Sequence, residues 1–326
     1  MGARIENTEV INKTAERKPK ATREAYGETL LELGRRRKDI VVLDADLSGS
    51  TKTGKFAKEF PERFFNMGVA EQDMVGTAAG LSLTGKVPFA STFAVFETGR
   101  AWDQIRQTVC YSNTNVKLVA THGGITVGED GASHQALEDI ALMRVLPNMT
   151  VIVPADATET SSVINAVADY KGPVYVRLGR SNVPHVMPED YKFIIGKAFV
   201  FNTGKDANII AAGIMVNIAK EAAEILKKEG IDTGVINMST IKPLDENVLL
   251  SVAKQSKVII TAEEHSVIGG LGGAVCEFLS ENCPIPVRRI GINDSFGCSG
   301  NSDDLLKLHG LTADNIVKTV KSALKK

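Results

Sequence analysis

The stretch FFNMGVAEQDMVGTAAGL, residues 64–81, decides how the first half of the chain is read. It begins in an apolar, strand-like segment and passes at residue 71 into a helical stretch packed with Gly and Ala. One carboxylate, Glu71, stands at the junction. A carboxylate is costly to bury unless it is paired or hydrogen-bonded. The residues alone leave two readings open: an exposed acid at a helix N-terminus, or an acid kept to share a proton-holding bond with a ligand nitrogen.

Working outward, short strands and helices alternate. Strands are expected in DIVVLDADL (39–47), at Phe64, and in VPFASTF (87–93), VKLVATH (116–122), MTVIVPAD (149–156) and GPVYVRLG (172–179). Helices are expected over TREAYGETLLELGRRR (22–37), from Met74 to Leu83, from Gly99 to Ser112 and after Ala157. This alternation predicts a mainly parallel sheet covered on both faces. RSNVPHVMPEDYKFIIGKAFV (180–200), with Pro184 and Pro188, interrupts it. A smaller unit follows, with strands in ANIIAAG, TGVINMSTI, KVIITAEEH and IPVRRIGI and an amphipathic helix ended by Gly230. The expected organisation is a polar arm at 1–20, one α/β domain at 21–185, a linker at 186–196 and a second α/β domain at 197–326.

Bulk properties exclude several classes. The formal net charge of −1 gives no electrostatic case for nucleic acid or a membrane surface. The four cysteines form no CxxC pair, which argues against a zinc site or a disulfide framework. No apolar run reaches the ~20 residues of a membrane span, and the polar N-terminus has no signal-like core. A cytoplasmic globular protein is expected. GGLGGA at Gly269 lacks the third glycine of a dinucleotide fingerprint and reads as a helix start facing a domain interface, and no P-loop is present.

The densest polar cluster is THGGITVGEDGASHQ, residues 121–135, with His122, Glu129, Asp130 and His134 in a glycine-rich loop after a strand. That places them at the sheet edge where open α/β folds bind ligands. DADLSGST (44–51) offers Asp46 and Ser50 but is equally an Asx or Ser turn. Phe93 and Phe96 suit a core as well as a ring-binding wall. Arg23, Arg100 and Arg180, each taken alone, are solvated charges.

NMGVAEQ, STFAVF, VGEDGASHQ and LPNMTVIVPAD occur in this order and spacing, and together they resemble the C-terminal half of transketolase from about Ala21 to the C-terminus. The resemblance implies two three-layer α/β/α domains, a pyrimidine-binding domain and a transketolase C-terminal domain. It implies thiamine diphosphate as cofactor, with Glu71 bonding its aminopyrimidine ring nitrogen. It also implies an apolar wall of Phe93 and Phe96, and Asp46 approaching the thiazolium. By the same match, Asp130 would recognise the ketose 2-hydroxyl and His134 the substrate oxygens, while Arg23, Ser50, His122 and Arg180 would hold the sugar phosphate. An arginine fork suits a phosphate.

In that family the diphosphate and a magnesium ion are held by an N-terminal domain with a Gly-Asp-Gly motif and a later Asn; this chain has no such motif. The expectation is therefore a split enzyme. A separate N-terminal subunit would hold the diphosphate and Mg2+ or a similar divalent ion, no metal ligand would come from this chain, and the assembly would be α2β2. Two positions depart from the family. Gly99 stands where full-length transketolases often carry an aromatic residue, and Gly123 where they often carry an acid.

Three rivals have discriminators. A 1-deoxyxylulose-5-phosphate synthase typically reads AEQH where this chain has AEQD, and lacks the acid at Glu129. A 2-oxoacid dehydrogenase beta subunit lacks the phosphate-binding set. A non-catalytic scaffolding subunit has no use for a polar cluster aimed into a cleft.

Overall fold

The structure, a computed structural model, describes residues 17–325. Most of the polar arm expected at 1–20 lies outside them. Its last residues are docked: Arg17 donates to Thr158 Oγ1 (2.9 Å) and to the Met187 carbonyl (2.8 Å). The short strand β1 (Lys20–Ala21) pairs antiparallel with β8 (Asn182–Val183).

The first sheet contains β2 (Ile40–Asp44), β3 (Phe64–Asn66), β4 (Val87–Ser91), β5 (Lys117–Ala120), β6 (Thr150–Ile152) and β7 (Val174–Arg177), all parallel. Its order is β12-β6-β7-β5-β4-β2-β3, where β12 is Thr240–Lys242. Every residue of β2, β4, β5 and β7 is buried, as expected of strands covered on both faces. One face packs under the helices Thr22–Arg36 and Ala157–Asp169 through Tyr26, Leu30, Val163 and Ile164. The other packs under the helix Glu71–Leu83 through Met74, Val75 and Ala78. Lys117, fully buried, gives its ammonium three acceptors: Asn115 Oδ1 and the Tyr170 and Gly172 carbonyls.

The second sheet, of order β14-β13-β10-β11-β9, comprises β9 (Phe199–Asn202), β10 (Ala207–Ala211), β11 (Thr233–Asn237), β13 (Val258–Ser266) and β14 (Val287–Ile292). Only β9, on the edge, runs antiparallel. The amphipathic helices Met215–Lys228 and Ala313–Leu324 cover one face, and Glu246–Gln255 and Leu271–Asn282 the other.

TGVINMSTI, expected as one strand, is two. After β11 the chain turns through Met238–Ser239, and β12 (Thr240–Lys242) joins the first sheet, antiparallel to β6. The apolar core on that side is continuous from Met74 and Leu118 to Ile236 and Leu271. The GGLGGA segment meets the first unit, as expected: Gly269 (φ +79°) has Ala141 where its Cβ would stand, and its carbonyl accepts from Arg144.

Candidate active site

The loops after β2, β3, β4, β5 and β7 meet at the carboxyl edge of the first sheet, the edge where parallel sheets bind ligands. The loop after β2 is shaped by Asp44, a buried residue whose carboxylate accepts from Leu47 N (2.6 Å), Thr51 Oγ1 (2.6 Å) and Thr53 Oγ1 (2.8 Å). Burial pushes that carboxyl above its ordinary value, and Asp46 adds like charge.

A turn at Gly68 (φ +69°) follows β3, and the helix Glu71–Leu83 begins three residues later. Glu71 is 4% exposed. Its partner is Arg100, whose Nη1 donates to Glu71 Oε1 at 2.8 Å. The Arg100 guanidinium lies over the Phe96 ring, 4.1 Å from its centroid. Arg100 is thus not the freely solvated charge its sequence context suggests, because a weakly hydrated planar cation between a carboxylate and an aromatic face is well placed at both contacts. A Cβ at Gly99 would meet nothing within 4 Å, so the first atom of a side chain has open space there.

The aromatic wall continues. Phe93 and Phe96 stack at 5.8 Å, Phe93 stacks on His122 at 3.7 Å, and His134 stands edge-on to Phe96 at 5.2 Å. Behind the wall lies Glu97, a residue that sequence reasoning missed. It is fully buried and neither carboxyl oxygen has a hydrogen-bond partner. Burial, with Asp44 and Glu71 adding negative charge, pushes its carboxyl well above the ordinary range.

Arg23 Nη1 donates to the Ser50 carbonyl (3.0 Å) and approaches His122 Nε2 at 3.3 Å. An arginine only donates, so Nε2 accepts, and the proton sits on Nδ1, which donates to Thr121 Oγ1 at 2.8 Å. Burial, then Arg23 and Arg180, push the His122 imidazole down to about 3. The ring therefore stays neutral: protonation would remove the acceptor of Arg23. We expect the His122 ring resonances in NMR to show no titration between about pH 5 and 8, the window in which an unperturbed histidine changes charge.

Arg180 approaches Asp130 (3.5 Å) and Glu129 (3.7 Å) and bonds the Val127 carbonyl. Arg23 and Arg180 line one cavity of 430 Å³ together with Thr126, Glu129, Ser181 and Ser302. A larger cavity of 540 Å³, lined by Arg37, Lys86 and Lys171, opens at the opposite, amino edge of the sheet and touches none of these groups.

The fold thus links Ser50, Arg23, His122, Phe93, Phe96, His134 and, through Arg100, Glu71 in one run of contacts, with Arg180 sharing the cavity of Arg23 and Asp130 standing beside Arg180. Asp46 (φ +63°) stands at the same edge but apart from this run; its carboxylate accepts from Asn66 Nδ2 at 2.9 Å. The residues fit a flat nitrogen heterocycle. A buried carboxylate beside an aromatic face already holds one planar N–H group, that of Arg100. Gly123 is accounted for as well, since a Cβ there would lie 2.6 Å from Arg177 Nε, leaving no room for an acid.

Comparison with known proteins bears on this geometry. Residues 18–186 match the transketolase pyrimidine binding domain and residues 196–316 the transketolase C-terminal domain. A transketolase C-terminal section of Methanocaldococcus jannaschii is 54% identical over 310 residues, covering 94% of this chain and 97% of that one. One of the subunits of an apulose-4-phosphate transketolase, from Phocaeicola vulgatus, is 44% identical, covering 94% and 98%. Among solved structures, a split gene transketolase described as an inactive beta4 tetramer superposes with a TM-score of 0.87 at 55% identity, covering 94% of this chain and 99% of that one. No helix among the described residues is long and apolar enough to cross a membrane. The chain belongs to the transketolase family and comprises its pyrimidine-binding and C-terminal domains.

Proposed function

We propose that this chain is the C-terminal subunit of a split, thiamine-diphosphate-dependent transketolase. It would move a two-carbon ketol unit from a ketose phosphate to an aldose phosphate once a separate N-terminal subunit is in place, the pair assembling as α2β2. The observation that carries the reading is the Glu71 carboxylate, buried beside Phe96 and already paired with a planar N–H donor. The relatives named as a transketolase subunit and as a split gene product support the two-chain arrangement.

When bound, thiamine diphosphate supplies the carbon nucleophile. Glu71 would hold the proton shared with the pyrimidine nitrogen, taking up the ring in place of the Arg100 guanidinium, with Phe93 and Phe96 as the apolar wall. Asp46 would face the thiazolium side. Asp130 and His134 would bond the sugar hydroxyls, and Arg23 and Arg180 the phosphate, with Ser50 beside them. His122, neutral and bonded on both nitrogens, serves here by aiming Arg23. The diphosphate and Mg2+, or a similar divalent ion, would be held through the partner subunit.

The test is complementation. The purified chain alone should bind thiamine diphosphate weakly, by calorimetric titration, and transfer no ketol unit. Adding a partner chain with the Gly-Asp-Gly and Asn signature should restore both. Turnover without a partner would refute the split reading. A loaded complex inert towards every sugar phosphate pair would refute the transketolase reading.

A further inference from the structure

The segment that carries Asp130 is a short 3-10 stretch, Ile125–Asp130, broken at Gly128 (φ +85°, ψ −120°), with a turn bond of its own from Gly131 N to the Gly128 carbonyl (3.2 Å). Residues 122–131 include four positive φ angles: His122 (+60°), Gly124 (+86°), Gly128 (+85°) and Gly131 (+76°). Glycine adopts such backbone at no steric cost, so of the four only His122 needs its surroundings to hold it there. Groups from both domains hold the segment: Leu178, Ala136, Ser181 and Arg180 from the first, Glu264 and Ser302 from the second.

Glu264, on β13 and 5% exposed, reaches across the domain boundary, and its Oε1 accepts from Thr126 N at 2.7 Å. Gly124 lies against the same carboxyl group, so closely that a Cβ would stand 2.2 Å from it. The Thr126 carbonyl accepts from Ser181 Oγ and Ser302 Oγ, both at 3.0 Å, and the two hydroxyls are 3.1 Å apart. Gln135 Nε2 donates to the Cys298 carbonyl at 2.9 Å. Arg177 Nη2 fixes the Glu264 backbone itself, donating to its carbonyl at 2.9 Å and to Ala136 O at 3.1 Å. One residue past Thr126, the Val127 carbonyl anchors the Arg180 guanidinium.

We propose that Glu264 is a positioning residue: from the C-terminal domain, it sets the 124–131 segment and, through Val127, the aim of Arg180 at the anionic end of the substrate. This rests on the transketolase reading above. Glu264 bonds the cavity wall only through Thr126 N and makes no hydrogen bond to Arg23, Arg180 or Glu71, so its loss should weigh most on substrates with an anionic tail. A displacement of ~1 Å at a substrate-positioning group is enough for large rate effects. Glutamine keeps an oxygen acceptor for Thr126 N at the same reach, whereas alanine leaves that buried amide unpaired.

The experiment compares wild type, Glu264→Gln and Glu264→Ala in the complex assembled with the partner subunit. A phosphorylated ketose donor and an unphosphorylated ketose donor are assayed side by side, with thiamine diphosphate affinity and hydrogen exchange measured on the same samples. For Glu264→Ala, the ratio of kcat/KM between the two donors should fall about tenfold or more, mainly through KM. Cofactor affinity should stay within twofold, and peptides covering 124–131 should lose exchange protection. Glu264→Gln should restore most of the ratio and of the protection.

Equal losses on both donors, unchanged exchange at 124–131, or a Gln variant as poor as Ala would overturn the proposal. A wild-type complex that neither binds the cofactor nor turns over would instead sink the transketolase reading. In that case the exchange measurement still decides whether Glu264 holds the segment.

Discussion

Replacing Glu71 with alanine in the complex assembled with its partner is expected to lower ketol transfer by about 10²–10⁴-fold, the range spanned by a positioned proton-transferring group. The carboxylate is buried, and the helix Glu71–Leu83 holds it at the sheet edge beside the stacked pair Phe93 and Phe96. Alanine removes the carboxylate that pairs with the planar cation lying on Phe96. Glu71→Gln keeps a hydrogen-bonding oxygen but no charge, so it should bind cofactor better than alanine while remaining slow. Arg100→Ala separates the two partners, because the guanidinium competes with the ring for one carboxylate. That variant should lose less than tenfold in turnover. Steady-state rates with a saturating cofactor titration check all three. A fall of only a few-fold for Glu71→Ala would point to a scaffolding subunit instead.

Much of this arrangement is legible in the sequence, and what is not has physical causes. The fully buried strands of the first sheet read as apolar runs bounded by turn residues, and the loop at 121–135 announces itself by glycines among charges. TGVINMSTI does not reveal its break, since both halves are apolar strand formers and no local pattern tells which of two sheets a strand joins. Arg100 looks like a surface charge because its two partners, Glu71 and Phe96, lie on a different helix and on an adjacent turn. Glu97, inside FAVFETG, looks like the polar face of a short helix, yet it is fully buried. Glu264 was hidden in a strand. The available signal was TAEEH itself, two acids closing a run of buried residues at a carboxyl edge, which calls for partners elsewhere in the fold. One of them, Glu263, caps the next helix by accepting from Leu271 N (2.6 Å) and Gly272 N (2.8 Å).

Asp139→Ala should be the most destabilising single change in the junction between the domains. Asp139 and Arg177 are both buried, at 0% and 5% exposure, and are paired at 2.8 Å between Asp139 Oδ2 and Arg177 Nε. The same oxygen accepts from Tyr175 OH at 2.7 Å. Burial works against the Arg177 charge, but Asp139 and Glu264 outweigh it and hold the guanidinium above its ordinary value. Removing one partner of such a pair strands a charge in the interior, at a cost of about 3–5 kcal/mol. The melting temperature should fall by about 10 °C. Asp139→Asn keeps one acceptor oxygen, which can serve both donors as Oδ2 does, and should lose less. The double variant Asp139→Ala, Arg177→Met removes the stranded charge and should recover part of the loss, so the two substitutions are non-additive. Differential scanning fluorimetry on the four proteins reads this directly, and a shift under about 2 °C for Asp139→Ala would show that the pair contributes little. Recovery in the double variant should stop short of wild type. Arg177 also donates to the carbonyls of Ala136 and Glu264, so its loss releases the substrate segment from the C-terminal domain even where the buried charge is gone.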